Sequence, residues 1–297
     1  MMSRLSNTNC APMKRILSVI ILAACCVSAY AQSVPFLLYN TDVRAGAMAA
    51  VGTEGLAAGN ALSGKTLDVS ASYSGIAPSS TGTGLIGLGG YGNIGELSVG
   101  LYGRYSPGRE YELFNENAMS LGTFRPSDLA LGASVAYVFA EKFAVGARAS
   151  IISSKLSSKA IGSSLGIDVS AAYSANGLAV ELAVRNLGPN IKYEENAYKL
   201  PSLAVAGVSY GKGGFSVRAE AGCFFSGSFL AGVGVEYTIV RIVSLRAGFH
   251  YGDDDHVPTY ASAGLGLQLK GFKLDFTYLP PLGKADGAFM GGLGYCF

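Results

Sequence analysis

Gly177-Leu178-Ala179-Val180-Glu181-Leu182-Ala183-Val184-Arg185-Asn186 decides how this chain is read. In an extended strand successive side chains point to opposite faces. Leu178, Val180, Leu182 and Val184 therefore share one face, and Glu181 and Arg185 the other. The same two-residue period recurs on either side of this stretch. Leu274, Phe276 and Tyr278 alternate with Lys273, Asp275 and Thr277. Leu245, Ala247, Phe249 and Tyr251 oppose Arg246 and His250. Phe143, Val145, Ala147, Ala149 and Ile151 oppose Arg148 and Ser150.

Composition says what such strands must do. The chain is 49% hydrophobic and only 14% charged, with a mean hydropathy of +0.34. Soluble domains average roughly 25% charged residues. Past residue 31 no run reaches the roughly 18 apolar residues that a membrane helix needs. In hydrocarbon every backbone N–H and C=O must be paired internally, so only helices and closed barrels span a bilayer. The sequence thus predicts an all-β protein, a transmembrane antiparallel β-barrel. The 41 glycines, 17 tyrosines and 14 phenylalanines fit small residues on crowded faces and aromatic girdles at the two interfaces. Trp is absent, so Tyr must serve in the belt. A net charge of +2 is too weak to indicate a nucleic-acid partner.

Alternating runs lie at 65–75, 82–91, 95–106, 110–117, 128–139, 143–154, 164–174, 177–186, 201–211, 214–225, 228–239, 241–251, 259–270, 271–279 and 286–297. The run at 110–117 is the weakest and reads equally as loop. Bacterial barrels have even strand numbers, so the expectation is about fourteen. Ser106-Pro107-Gly108, Ala175-Asn176-Gly177, Gly211 to Gly214 and Gly252-Asp253-Asp254-Asp255 mark turns. An Arg or Lys facing lipid at the midplane costs about 2–4 kcal/mol. The charged face is therefore assigned to the lumen: Arg104, Arg148, Asp168, Glu181, Arg185, Arg218, Glu220, Glu236, Arg246 and Asp275. This set of both signs suits interior salt-bridge ladders or, alternatively, a selective pore lining.

Lys14-Arg15, the apolar Ile16 to Cys26 and Ala29-Tyr30-Ala31 have the form of a signal peptide cleaved before Gln32. Leu22-Ala23-Ala24-Cys25 also resembles a lipoprotein box, which would leave Cys25 lipidated. The expected organisation is a signal peptide over 1–31, an N-terminal segment over 32–64 and the barrel over 65–297. Thr41 to Gly64 is rich in Ala and Gly and lacks alternation. It reads either as a segment with a short helix after Thr41 or Asp42, tucked into the barrel mouth, or as a periplasmic leader. Cleavage leaves Cys223 and Cys296, expected as two free, apolar-facing thiols.

Several chemical motifs fail their structural tests. Gly90-Tyr91-Gly92-Asn93-Ile94-Gly95 matches G-x-G-x-x-G, but no helix follows in a βαβ unit. Gly162-Ser163-Ser164-Leu165-Gly166 matches a nucleophile elbow, which needs a strand-to-helix turn, whereas a strand is expected from Leu165. Asp253, Asp254, Asp255 and His256 read as a solvated hairpin tip more readily than as a Ca²⁺ loop. No cofactor, metal or catalytic residue is indicated, and the protein is read as a non-enzyme.

Pro35-Phe36-Leu37-Leu38 followed by Asp42-Val43-Arg44-Ala45-Gly46-Ala47-Met48 resembles the opening of the mature PorV/PorQ family. Asp42, Arg44, Ala45, Gly46 and Met48 carry that match. Gly122-Thr123-Phe124-Arg125-Pro126-Ser127-Asp128, Ile167-Asp168-Val169, Asn186-Leu187-Gly188-Pro189-Asn190-Ile191-Lys192-Tyr193 and Leu200-Pro201 continue it in order. The C-terminal Gly294-Tyr295-Cys296-Phe297 resembles an outer-membrane assembly signal. The resemblance implies a FadL-like barrel of about fourteen strands, with its N-terminal segment in the lumen, in the Gram-negative outer membrane. It also implies a non-enzymatic adaptor that shuttles exported cargo in type IX secretion. Its partners would be outer-membrane lipid, C-terminal signal domains of cargo and proteins of the attachment complex. The alternative is a FadL-like channel for small hydrophobic molecules.

Overall fold

The structure, a computed structural model, describes residues 34–53, 55–76, 83–114, 119–252, 257–282 and 287–297. The segment read as a signal peptide, with Cys25, and the acidic stretch Asp253 to His256 lie outside them. No helix among the described residues is long and apolar enough to cross a membrane.

Alternation becomes strands along the whole chain. In order they are β1 (Leu67–Ile76), β2 (Thr83–Ile94), β3 (Leu97–Pro107), β4 (Tyr111–Phe114), β5 (Ser120–Phe124), β6 (Ser127–Phe139), β7 (Phe143–Lys155), β8 (Ile161–Ala175) and β9 (Leu178–Leu187). There follow β10 (Ile191–Tyr193), β11 (Asn196–Tyr198), β12 (Leu203–Lys212), β13 (Phe215–Phe224), β14 (Phe229–Ile239), β15 (Val243–Tyr251), β16 (Tyr260–Leu269), β17 (Phe272–Leu279) and β18 (Ala288–Cys296). Fourteen of these close into one antiparallel barrel, while β4–β5 and β10–β11 are separate hairpins. The run at 110–117 is therefore strand in part but not barrel wall. β8 begins at Ile161, so the Gly162–Gly166 motif lies inside a strand and forms no elbow. Closure pairs β1 with β18 from Asp68↔Cys296 to Gly75↔Phe289, and Phe297 N–H donates to the Leu67 carbonyl at 2.9 Å. No free edge remains in the wall.

The connections are short at one end, as at Ile94–Leu97, Ala175–Leu178, Lys212–Phe215 and Leu269–Phe272, and long at the other. Outer-membrane barrels keep their short turns on the periplasmic side. Asn176 (φ 53) and Gly177 (φ 83) make one such turn, the Asn-Gly pair whose left-handed backbone matches the strand twist.

The outer surface is layered. Leu101, Leu131, Ile151, Leu165, Leu182, Val233 and Leu293 stand exposed in the middle of their strands. Tyr137, Phe143, Tyr210, Phe215, Tyr237 and Phe272 ring the short-turn end, and Tyr73, Tyr105, Phe229, Tyr251 and Phe289 the other. Exposed leucines and valines between two aromatic rims are stable only against hydrocarbon. Neither Cys223 nor Cys296 is in a disulfide, but Cys296 departs from the expected apolar-facing placement. It sits directly opposite Asp68, whose side chain faces the lumen, and directly opposed residues share a face. Cys296 is thus on the inner face, where strand parity at the chain end puts it.

Candidate functional site

The barrel core is its own N-terminal segment. Val34, Phe36 and Leu37 pack with Leu85, Ile152, Ile191 and Leu200 at the long-loop end. Helix α1 (Val43–Ala47) follows, and helix α2 (Ala57–Ala61) sets Ala58 against Ala144 and Ala172 near the short turns. The segment runs the length of the lumen rather than tucking into one mouth. Glycines let its backbone lie on the wall. A Cβ at Gly234 would stand 2.7 Å from Met48 Cα, and one at Gly248 2.7 Å from the Met48 carbonyl carbon.

Each residue of the Asp42–Met48 stretch has a local task. Asp42 caps α1, its Oδ1 accepting from Ala45 N–H at 2.8 Å. Arg44 places Nε and Nη2 on the two Glu236 oxygens at 3.0 and 2.9 Å. Glu236 also accepts from Arg246 Nε at 2.5 Å, and Arg246 Nη1 reaches Asp275 Oδ1 at 2.5 Å. Ala45 and Met48 are buried, and Gly46 lies against the Met290 thioether. Wall hydroxyls fix the backbone: Ser72 donates to Thr41 O (2.5 Å), Thr277 to Val43 O (2.7 Å) and Ser262 to Ala47 O (2.9 Å).

Glu220 is the strongest anchor. Its Oε2 accepts from the N–H groups of Val51, Gly52 and Thr53 at 2.8, 2.9 and 3.1 Å, and Oε1 from Thr53 Oγ1 at 2.7 Å. Arg218 Nε completes the cluster at 2.9 Å, and its Nη2 reaches Glu181 Oε2 at 3.3 Å. Three successive backbone N–H groups around one oxygen form an anion nest, here filled by the protein's own carboxylate.

The remaining sequence-selected charges form a second cluster. Arg104 Nη1 donates to Leu37 O at 2.9 Å and to Phe36 O at 3.3 Å. Arg185 Nη1 donates to Gly52 O at 3.1 Å, and Arg148 Nη2 donates to Gly55 O. Arg148 also lies over the Tyr102 ring, 4.2 Å from its centroid. Asp168 Oδ2 is 3.8 Å from both Arg148 Nη1 and Arg185 Nε, beyond hydrogen-bond reach. Its Oδ1 accepts from Asn186 N–H at 2.7 Å. That contact exists because β9 bulges: Ile167 faces Leu187 while Val169 faces Val184. Asn186 takes the extra place with φ 56.

All ten charges chosen from alternation thus lie inside the barrel: nine of them belong to the ion-pair clusters just described, and Arg104 donates to plug carbonyls instead. Other inward groups were not chosen. Asp68 bridges Lys65 and Lys273, and parity opposite Leu274 was the signal for Lys273. His250 is buried with its ring stacked on Tyr260, centroids 4.7 Å apart. Ser164 donates to Pro189 O at 2.7 Å, so Ser164 and His250 each serve the wall. Among the described residues no group of metal-ligating side chains could hold an ion.

Beside the plug runs a cavity of about 260 Å³. It passes along the inner wall of β1–β3, from Tyr39 and Arg104 down to Lys65, Asp68 and Tyr91. Burial pushes the Tyr39 phenol above its ordinary value, so it stays protonated. Burial disfavours the Lys65 ammonium, but the hydrogen bond to Asp68 outweighs this and raises its pKa.

A closed barrel of fourteen strands with its lumen filled by the chain's N-terminal segment defines the class. No protein-family model matches the chain, and no curated protein does. Solved structures with this fold include the toluene transporter TbuX of Ralstonia pickettii, at 13% identity and a TM-score of 0.64, covering 88% of this chain and 100% of that one. The toluene transporter TodX of P. putida is 11% identical, with a TM-score of 0.66 and coverages of 88% and 99%. The monoaromatic hydrocarbon channel CymD is 12% identical, with a TM-score of 0.64 and coverages of 87% and 97%. The chain has the fold of these FadL-like barrels.

Proposed function

We propose that this protein is a FadL-like channel of the outer membrane, passing small molecules beside a plugged lumen, with no enzymatic role. One observation carries the reading: the cavity follows the inner wall from the long-loop half of β3 to the strand starts at the short-turn end. The neighbours' names, toluene transporters and a monoaromatic hydrocarbon channel, support a small, partly apolar solute. The apolar belt between aromatic rims supports the outer membrane as its site, reached after cleavage near Ala31. The secretion-adaptor role implied by the PorV/PorQ resemblance draws no support from these neighbours.

The test is uptake of a labelled monoaromatic solute by liposomes with lipopolysaccharide in their outer leaflet. Vesicles carrying the processed protein should fill faster than protein-free vesicles. Equal rates, together with crosslinking of the barrel to cargo C-terminal domains in native outer membranes, would move the role to the adaptor.

A further inference from the structure

Charges in the lumen are unevenly shared. Glu236 and Asp275 meet Arg44 and Arg246 one for one, and Glu181 and Glu220 converge on Arg218. The cavity wall is different. Arg104, Arg148 and Arg185 all line it, and among the described residues the carboxylate set between them is Asp168, which reaches two of them only at 3.8 Å. The three side chains are about nine-tenths buried, and the Nε–H of each has no hydrogen-bond acceptor among the described residues. Lower down, Lys65 and Lys273 share the single carboxylate of Asp68. Of the other acids on the cavity, Asp42 caps α1 and Asp275 is engaged by Arg246. Desolvated cations that outnumber their counterions are costly unless an anion joins them. Guanidinium groups in particular match the fork of a carboxylate. Tyr102, under Arg148, and Tyr39 add ring surface beside the same cationic wall.

We infer that Arg104, Arg148 and Arg185 form a lumenal binding site for the carboxylate of a small organic acid, held at the plug's surface beside Tyr102. This deepens the channel reading and rests on it for the route by which the ligand arrives. The cavity volume suits a small acid rather than a long chain. The same arginines clamp plug carbonyls, so anion binding couples to the plug's hold on this wall.

The test is equilibrium binding to the purified, processed barrel in detergent, with benzoate as the probe and benzamide as its uncharged counterpart. Benzoate should bind at least about tenfold more tightly than benzamide, the difference expected of one charge-assisted hydrogen bond. Arg148→Gln and Arg185→Gln should each erase that preference, with heat-modifiable gel mobility reporting that the barrel still forms. If a variant fails to form, competition on the unaltered protein decides: acetate should displace benzoate and acetamide should not. Equal affinity for benzoate and benzamide, or displacement by acetamide as readily as by acetate, would reduce the arginines to a structural clamp and overturn the site. Selective benzoate binding without accelerated solute uptake would instead leave the site standing and refute the channel.

Discussion

Glu220 shows how one side chain can hold a plug in a barrel. A buried carboxylate with four hydrogen bonds from the plug and an arginine partner is stable only as a set. Removing it strips three N–H groups of their acceptor and Arg218 of its shorter carboxylate contact, a loss of about 3–5 kcal/mol for a broken buried pair. In Glu220→Ala the Val51, Gly52 and Thr53 amides should exchange with solvent far faster, while amides in β6–β8 keep their protection. Unchanged exchange at those three amides would show that the plug is anchored elsewhere. Glu220 was legible as an inward charge from its parity with Arg218. Its nest was not, because the three amides lie 167 to 169 residues away.

At the scale of elements, strands were the most legible feature, since alternation is a local property. The two small hairpins show its limit. Tyr111–Phe114 has strand chemistry, yet whether it joins the wall depends on what β3 pairs with, and β3 pairs with β6. Asn186 gave a signal in Asn-Leu-Gly-Pro, but the bulge that aims its amide at Asp168 requires β8 alongside. Turns carry a stability prediction. Val240 (φ 46) and Arg241 (φ 61) hold the left-handed conformation between β14 and β15, with Ile242 N–H bonded to Ile239 O at 3.0 Å. A β-branched residue is a poor occupant there, whereas Asn tolerates it. Val240 is 77% exposed, so little packing is lost on replacement. Val240→Asn should raise stability against urea in detergent by about 1 kcal/mol; a drop would mean that its contact with the lipid interface outweighs backbone strain.

For the whole molecule, closure is the decisive property. The hydrogen-bond ladder has no starting edge, so SDS cannot peel off strands one at a time. Unboiled protein should run faster than boiled protein on an SDS gel, and a single mobility under both conditions would argue against a closed wall. The plug adds a second layer of cohesion, because α1 and the nearby Thr41 together tie to β1, β14, β16 and β17 through Ser72, Glu236, Ser262 and Thr277.

By itself the sequence determined the strand type, the membrane setting of the outer face and which charges turn inward. All three follow from a two-residue period and from the cost of a charge in hydrocarbon. Tertiary structure alone decided that Glu220 would nest the plug, that β4–β5 would leave the wall and that three arginines would meet beside Tyr102. Those outcomes depend on residues that are remote in the chain and become neighbours only when the barrel shuts.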